Sequence, residues 1–320
     1  MSKFNLTHSL TRAEAISLRN KLNRFLKPKP KPTPKPNTFG SGFKVAASYF
    51  DALRARHLVK DLNYFKRKGV GIVRVYLNFS YPPNKPWRFL FRPDGTLDKG
   101  KLGQLHKLLK LSNKRKMIVD ISSSRRKDPD GWQMTPQAYG TCWRTLAKQL
   151  KFWGYTNYII DLENEHNCGW AGSRHTMSQE RALSIRNSIR LILPDAHITA
   201  SVACHISPEA AAAMAKVEGM NVLAYHDPRG ENCIKDSEPL ARRCKKAFSK
   251  GLVYFQEPCQ IGWQDYVKNA DDLTAMLNGA KKAKIASWCF HSDASFNLSG
   301  GTFESRLLPE ERKFMEMIKK

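Results

Sequence analysis

From Phe39 onward, short apolar runs alternate with longer amphipathic stretches, the signature of β/α units. Eight runs read as strands: Lys44–Ser48, Gly71–Leu77, Lys116–Ile121, Tyr158–Glu163, His197–Ala203, Met220–Tyr225, Leu252–Gln256 and Lys284–Phe290. Between them, Ala55–Lys68, Gly100–Ser112, Pro136–Trp153, Ser178–Leu193, Pro208–Val217, Pro239–Ser249 and Ala270–Ala283 read as helices, with Pro309–Lys320 as a last one. Eight alternations predict an α/β fold, a closed (β/α)8 TIM barrel over residues 39–320, near the roughly 250 residues such barrels need. A doubly wound open sheet is the alternative, but no Gly-rich phosphate turn follows the first strand.

The first 38 residues follow other rules. Thr11-Arg12-Ala13-Glu14 has the form of a capping box, and Ala15, Leu18, Leu22 and Phe25 then recur at helical spacing among Arg12, Arg19, Lys21 and Arg24. Residues 1–26 are therefore expected to form a short basic amphipathic helix. Residues 27–38 alternate lysine and proline, which favours an extended, semi-rigid linker. The helix can dock on an assembly partner, touch an anionic cell envelope, or fold back on the barrel. A docking role is favoured, because a stiff spacer is wasted on a helix that packs in cis.

Charge narrows the partners less than its size suggests. The 320 residues carry 54 Lys and Arg against 28 Asp and Glu, a net charge of +26. Such a field attracts nucleic acid, an anionic envelope or acidic glycans. The excess is spread along helices, as in Arg54, Arg56, Lys60, Lys66, Arg67 and Lys68, so a solvated positive surface accounts for it equally well. No nucleic-acid motif accompanies it, and nucleic acid is not the expected partner. No run of 18 apolar residues occurs, so no integral membrane segment is expected. The start lacks the charged-then-apolar order of a signal peptide, which points to the cytoplasm, a virion or release by lysis. Seven scattered cysteines without a Cys-x-x-Cys pair predict free thiols and no structural zinc.

Active sites of β/α barrels lie at the C-terminal ends of the strands, and polar residues gather there in this chain. Strand two ends near Arg74 and Asn78, strand three at Asp120 and Ser122, and strand four at Glu163-Asn164-Glu165-His166. Strand five runs to His205, strand six to His226-Asp227, strand seven to Gln256-Glu257, and strand eight reaches Trp288, His291 and Asp293. Strands four and seven lie nearly opposite each other in an eight-stranded barrel. Carboxyl groups at their ends can face across a substrate, as glycosidic bond cleavage requires. Glu163 rivals Glu165 on strand four; Glu165 sits nearer the mouth and follows Asn164. Trp87, Trp132, Trp170, Trp263 and Trp288 all follow strands, where indole faces can stack on sugar rings. Trp143 and Trp153 fall in or near a helix and are expected in the core.

These motifs resemble those of the clan A glycoside hydrolases, the cellulase and mannanase-like branch above all. Asn164-Glu165 matches that clan's acid/base motif on strand four, and Gln256-Glu257 its nucleophile motif on strand seven. Asp61-Leu62-Asn63-Tyr64-Phe65, the stretch from Gly69 to Arg74-Val75, and Asp94-Gly95-Thr96-Leu97 extend the likeness across roughly residues 44–290. The resemblance implies a retaining hydrolase of β-linked oligo- or polysaccharide, with no cofactor and no metal. Glu257 would be the nucleophile and Glu165 the acid/base. Arg74 would hold Glu257, Asn164 would bind the sugar, and Trp170 and Trp288 would wall the cleft. Tyr225 would touch the nucleophile from strand six, or His226 in its place. Ile121-Ser122 and His166 depart from the clan's usual His and Pro at those positions. Among the bland alternatives, Arg74 closes a structural ion pair and His205 and His226 are hydrogen-bonded barrel residues. A metal site from His205, His226 and Asp227 ranks below these. A non-catalytic barrel that binds glycan or cell envelope is the alternative function.

Overall fold

The computed structural model describes residues 39, 42–78, 89–123, 134–167, 177–203, 206–226, 228–262, 264–296 and 298–318. All of them fall in one compact unit, Pro36–Lys320. The helix and linker expected over residues 1–38 lie outside them, as do Trp87, Trp132, Trp170, Trp263, His205 and Asp227.

Eight strands form one parallel sheet: β1 (Lys44–Ser48), β2 (Val70–Tyr76), β3 (Ile118–Ser122), β4 (Tyr158–Asp161), β5 (His197–Thr199), β6 (Val222–Tyr225), β7 (Leu252–Phe255) and β8 (Ser287–Phe290). Their order is β5-β4-β3-β2-β1-β8-β7-β6. The remaining seam, β5 to β6, is closed by a single parallel bridge between Val202 and Tyr225, where Val202 N donates to Ala224 O and His226 N to Val202 O, both at 3.1 Å. The helices α1 (Leu58–Arg67), α2 (Lys99–Lys114), α3 (Pro136–Trp153), α4 (Gln179–Arg190), α5 (Pro208–Val217), α6 (Cys233–Ala247) and α7 (Ala270–Lys282) follow the strands, with α8 (Phe303–Arg306) and α9 (Pro309–Met317) at the end. The architecture is the (β/α)8 barrel that the alternation predicts.

The period of two along each strand sorts the side chains. Ala46, Ile72, Ile118, Ile159, Val222, Tyr254 and Cys289 form a small apolar cluster inside the barrel, with Phe39 below them. Two residues further along the same face come Arg74, Asp120, Asp161 and Gln256, all wholly buried. The inward face therefore turns from apolar to charged toward the C-terminal mouth. The alternate residues, such as Val73, Val119, Ile160, Leu223, Val253 and Phe290, pack outward against the helices in the main core.

Several boundaries differ from the sequence expectation for local reasons. Lys116 and Lys284 both adopt φ of 56°, so β3 and β8 begin only at Ile118 and Ser287. Strand five stops at Thr199. Beyond it, Ser201 turns its backbone to the chain after β4, donating to Glu163 O at 3.1 Å and accepting from His166 N at 3.0 Å. Helix α6 begins at Cys233 and carries Pro239 inside it rather than at its start. Helix α3 ends as its sequence suggests, at Gly154 with φ of 70°.

Candidate active site

The inward face of β2 carries Arg74 and, one pleat later, Tyr76. The Arg74 guanidinium is fully buried and spreads over three strand ends. Nη1 donates to Glu257 Oε2 at 2.6 Å, Nη2 to Asn164 Oδ1 at 2.6 Å, and Nε to Ser122 Oγ at 3.1 Å. Asp161 and Asp120 lie 3.7 and 3.8 Å from it. Tyr76 OH reaches the same two acceptors, Asn164 Oδ1 at 3.2 Å and Glu257 Oε2 at 3.3 Å. A planar fork with fixed donors suits this task better than a lysine would.

Beneath the mouth, Gln256 Nε2 donates to Asp120 Oδ2 at 2.8 Å and to Asp161 Oδ2 at 3.2 Å, and Ser122 Oγ donates to Asp161 Oδ2 at 2.8 Å. With its amide nitrogen so used, Gln256 presents Oε1 to His226 Nε2 at 2.9 Å. His226 Nδ1 then faces both acidic side chains, Glu165 Oε1 at 3.2 Å and Glu257 Oε2 at 3.5 Å. Burial pushes the Asp120 carboxyl up to about 7, against the pull of Arg74.

Glu165 itself sits in left-handed backbone, with φ of 51°. For a side chain with a Cβ this conformation is uncommon and must be imposed by its surroundings. Two contacts impose it. Glu165 N donates to Ser201 Oγ at 3.1 Å, and the next residue, His166, is clamped on both ring nitrogens, Nδ1 at 3.0 Å from Ser201 O and Nε2 at 2.8 Å from Glu218 Oε1. Burial disfavours charge on His166, but the hydrogen bond to buried Glu218 outweighs it and raises the His166 pKa.

Opposite, the Arg229 guanidinium bridges the two acids. Nη1 lies 3.2 Å from Glu165 Oε1, Nη2 lies 2.5 Å from Glu257 Oε1, and Nε donates to the Glu257 backbone oxygen at 2.7 Å. A carboxylate oxygen of Glu165, one of Glu257 and a ring nitrogen of His226 all lie within 4.8 Å of one another. Burial works against ionisation of both acids. For Glu257, Arg229, His226 and Arg74 overcome it and hold the carboxyl well below the usual range. For Glu165, the His226 hydrogen bond leads the opposing effects and, with Arg229, brings the pKa down to about 2. Three such donor atoms could ligate a cation, yet two guanidinium groups already neutralise the carboxylates, so a metal would have to enter against both.

The structure thus gathers Glu165, Glu257, Arg74, Asn164 and His226. Two of the residues singled out in sequence stand elsewhere. Trp288 points out of the barrel, fully buried, and meets Phe314 of α9 edge-on at 5.9 Å between ring centres. It is a core residue and does not reach the mouth. Tyr225 also faces outward, and its hydroxyl donates to Ile206 O at 2.6 Å; His226, the next residue, is the one that meets the acids. Trp170 lies outside the described residues. Glu163 leaves β4 toward Tyr139 on α3, whose pKa its charge helps to raise after burial. Trp143 is core, its Nε1 donating to Leu162 O at 3.2 Å, while Trp153 stacks on His106 at 4.6 Å. Sequence reading missed Tyr76 and Arg229 as members of the cluster and gave Gln256 a place in a motif but no role of its own. Tyr76 was within reach, since it shares the inward parity of Arg74.

At the C-terminal mouth of this eight-stranded barrel, an oxygen of Glu165 and one of Glu257 lie within 4.8 Å of each other. The fold is that of clan A glycoside hydrolases of known structure. An exo-β-1,4-mannosidase from an Opitutaceae bacterium matches at a TM-score of 0.58 and 17% identity over 86% of this chain; the chain spans 59% of that enzyme. A family 5 subfamily 18 protein from Streptomyces cattleya, solved with GlcNAc, matches at 0.61 and 14% over 88% of this chain and 80% of its own. A glycoside hydrolase family 5 enzyme from Prevotella bryantii matches at 0.61 and 12%, over 90% of this chain and 99% of its own. No protein-family description and no curated protein sequence matches the chain.

Proposed function

We propose that the protein is a retaining glycoside hydrolase acting on a β-linked glycan. The observation that carries this is the approach of Glu165 and Glu257 oxygens to within 4.8 Å. Retaining enzymes hold their two carboxyl groups about 5–5.5 Å apart, whereas inverting enzymes leave about 6.5–9.5 Å for a water. Arg74 and Tyr76 orient Glu257, and Arg229, His226 and Arg74 keep it ionised, the state a nucleophile needs. Glu257 attacks the anomeric carbon as the glycosidic C–O bond breaks, and the proton of Glu165 passes to the leaving oxygen. Water then attacks the glycosyl ester; Glu165 takes its proton, the ester bond breaks, and Glu257 leaves as carboxylate. Asn164, whose Oδ1 accepts from Arg74 Nη2, meets the substituent next to the anomeric carbon in this reading.

The test is a panel of β-linked glycans with Glu257→Gln and Glu165→Gln beside the wild type. Each variant should lose at least about a hundredfold in kcat, the scale of general acid–base catalysis. A 2-fluoro glycoside should leave a covalent adduct on the Glu257 peptide of the wild type alone. Full turnover in either variant rejects the assignment. A second function, glycan binding without cleavage, draws support from the low pKa of Glu165, which the His226 hydrogen bond lowers most, with Arg229 adding to it. Binding that Glu257→Gln leaves unchanged, with no wild-type hydrolysis, would establish it.

A further inference from the structure

Gln256 directly follows β7 and is wholly buried. Its Nε2 meets Asp120 Oδ2 at 2.8 Å and Asp161 Oδ2 at 3.2 Å, so each of its two N–H bonds has a carboxylate oxygen to donate to. Turning the amide over would set its oxygen against those two oxygens. Even with a proton on Asp120, Asp161 Oδ2, which accepts from Ser122 Oγ at 2.8 Å, would oppose the turned amide. Gln256 Oε1 therefore faces His226 Nε2 at 2.9 Å, and an amide oxygen can only accept, so Nε2 carries hydrogen. Arg74 Nη2 stands 3.5 Å from the same nitrogen, too far to compete, and already donates to Asn164 Oδ1 at 2.6 Å. Across the ring, Nδ1 faces two acceptors, Glu165 Oε1 at 3.2 Å and Glu257 Oε2 at 3.5 Å.

The place of hydrogen on this ring decides what the ring can give. In a neutral imidazole with hydrogen on Nδ1 alone, losing that hydrogen would leave an imidazolate, so the proton is not available. With hydrogen fixed on Nε2, a proton on Nδ1 can leave and a neutral imidazole remains. We infer that Gln256 is a positioning residue which, by fixing hydrogen on His226 Nε2, makes the Nδ1 proton transferable to Glu165. The inference rests on the hydrolase reading and meets a demand of it: an acid catalyst that stands as a carboxylate must receive its proton from a neighbour. The low pKa of Glu165, where the His226 hydrogen bond leads the effects that overcome burial, agrees with a proton on Nδ1. The Nδ1–H bond breaks as an O–H bond forms at Glu165 Oε1, and Glu165 passes that proton to the leaving oxygen as the glycosidic bond breaks. When water attacks the glycosyl ester, Glu165 takes its proton and returns it to Nδ1, and the ring ends as it began. The charged groups that face His226 are Glu165 and Glu257 at Nδ1 and Arg74 at Nε2, with Asp120 and Asp161 acting through Gln256.

The test reads the ring itself. NMR of protein with isotopically labelled histidine nitrogens distinguishes a protonated ring nitrogen from a bare one, and the signal missing from His226→Gln identifies His226. At neutral pH wild type should show hydrogen on Nε2. Gln256→Met removes the acceptor and leaves Arg74 Nη2 as the polar neighbour of that nitrogen, so Nε2 should become bare and hydrogen stay on Nδ1. On the panel of β-linked glycans, kcat of Gln256→Met should fall about ten- to a hundredfold, the range that hydrogen bonds to charged groups span, with KM little changed. Gln256→Glu keeps an acceptor toward Nε2 and should keep its hydrogen and part of kcat; thermal melts establish which variants fold. A bare Nε2 in wild type, or wild-type kcat in Gln256→Met, overturns the inference and leaves the hydrolase intact. A fall in kcat with the Nε2 hydrogen retained in Gln256→Met also overturns it, since Gln256 is then structural only. If Gln256→Met does not fold, wild type and Gln256→Glu decide: hydrogen on Nε2 in both, with part of kcat kept, upholds the inference, and a bare Nε2 in either overturns it. If wild type cleaves no glycan, the hydrolase reading fails, and the spectra alone decide whether Gln256 fixes the ring.

Discussion

Replacing Arg74 by methionine takes a cation out of the centre of the barrel and leaves its shape roughly filled. Asp161 at 3.7 Å and Asp120 at 3.8 Å then lose the guanidinium beside them, and Glu257, bound at 2.6 Å, loses one of its two and keeps Arg229. Asn164 Oδ1 and Ser122 Oγ lose a donor as well. Removing one partner of a buried ion pair costs about 3–5 kcal/mol, a large share of the about 5–15 kcal/mol that holds a domain folded. Arg74→Lys keeps the charge but cannot reach Glu257 and Asn164 with one fork. It should lose about 1–3 kcal/mol, the cost of charge-assisted hydrogen bonds left unmade. Urea unfolding followed by circular dichroism at pH 7, with the slope unchanged between variants, measures both. The pH dependence carries the sharper prediction. Burial already pushes Asp120 up to about 7 against the pull of Arg74; without Arg74 it binds its proton still more readily in the folded state than in the unfolded one, so this contribution to stability is present at low pH and lost as pH rises. The Arg74→Met deficit should therefore shrink toward pH 4. A deficit below about 1 kcal/mol at pH 7, or one that grows in acid, would refute the assignment of Arg74 as the counter-charge of this site.

Glu165 offers the opposite sign. Its folded pKa lies near 2 against an ordinary 4.5, through the His226 hydrogen bond and Arg229 acting against burial. Its contribution is present above 4.5 and lost as pH falls through 2, so Glu165→Gln should lower stability at pH 7 by on the order of 3 kcal/mol and by nothing near pH 2; melts across that range check it. His166→Phe strands the Glu218 carboxylate, which is wholly buried, and should cost about 3–5 kcal/mol in urea unfolding. Because it also releases the backbone of Glu165, kcat should fall more than KM rises; equal kcat in a folded variant would deny His166 a positioning role. Gly279→Ala puts a Cβ at 2.9 Å from Glu238 N and 3.1 Å from Ser237 Oγ, where α7 crosses α6. The overpacking should cost about 1–3 kcal/mol with activity unchanged.

The barrel was legible because each strand writes its two faces in alternate residues and each helix fills one. The same parity would have placed Tyr225 and Trp288 correctly. Val222 and Cys289 point inward, so Tyr225 and Trp288, at odd steps from them, point out. The attraction of a tryptophan on strand eight overrode that count, and the helix that covers it, α9, enters from the far end of the chain. The Asn164-Glu165 and Gln256-Glu257 pairs were legible as motifs, and Arg74 by its place on the inward face of β2. The strand ends were not, because left-handed residues such as Lys116 and Lys284 carry no signal in their side chains. Arg229 was hidden for a related reason. Its reach to both acids depends on the path of a loop that passes through Gly230, and no spacing rule links residues 165, 229 and 257.

The cluster reads as two guanidinium groups with different duties. Arg74 rises from a strand, is wholly enclosed, and holds Glu257, Asn164 and Ser122 through three separate nitrogens. None of those contacts needs to change during turnover, and a rigid strand is the place for a group that must not move. Arg229 comes from a loop and holds the faces of Glu165 and Glu257 that a sugar would need.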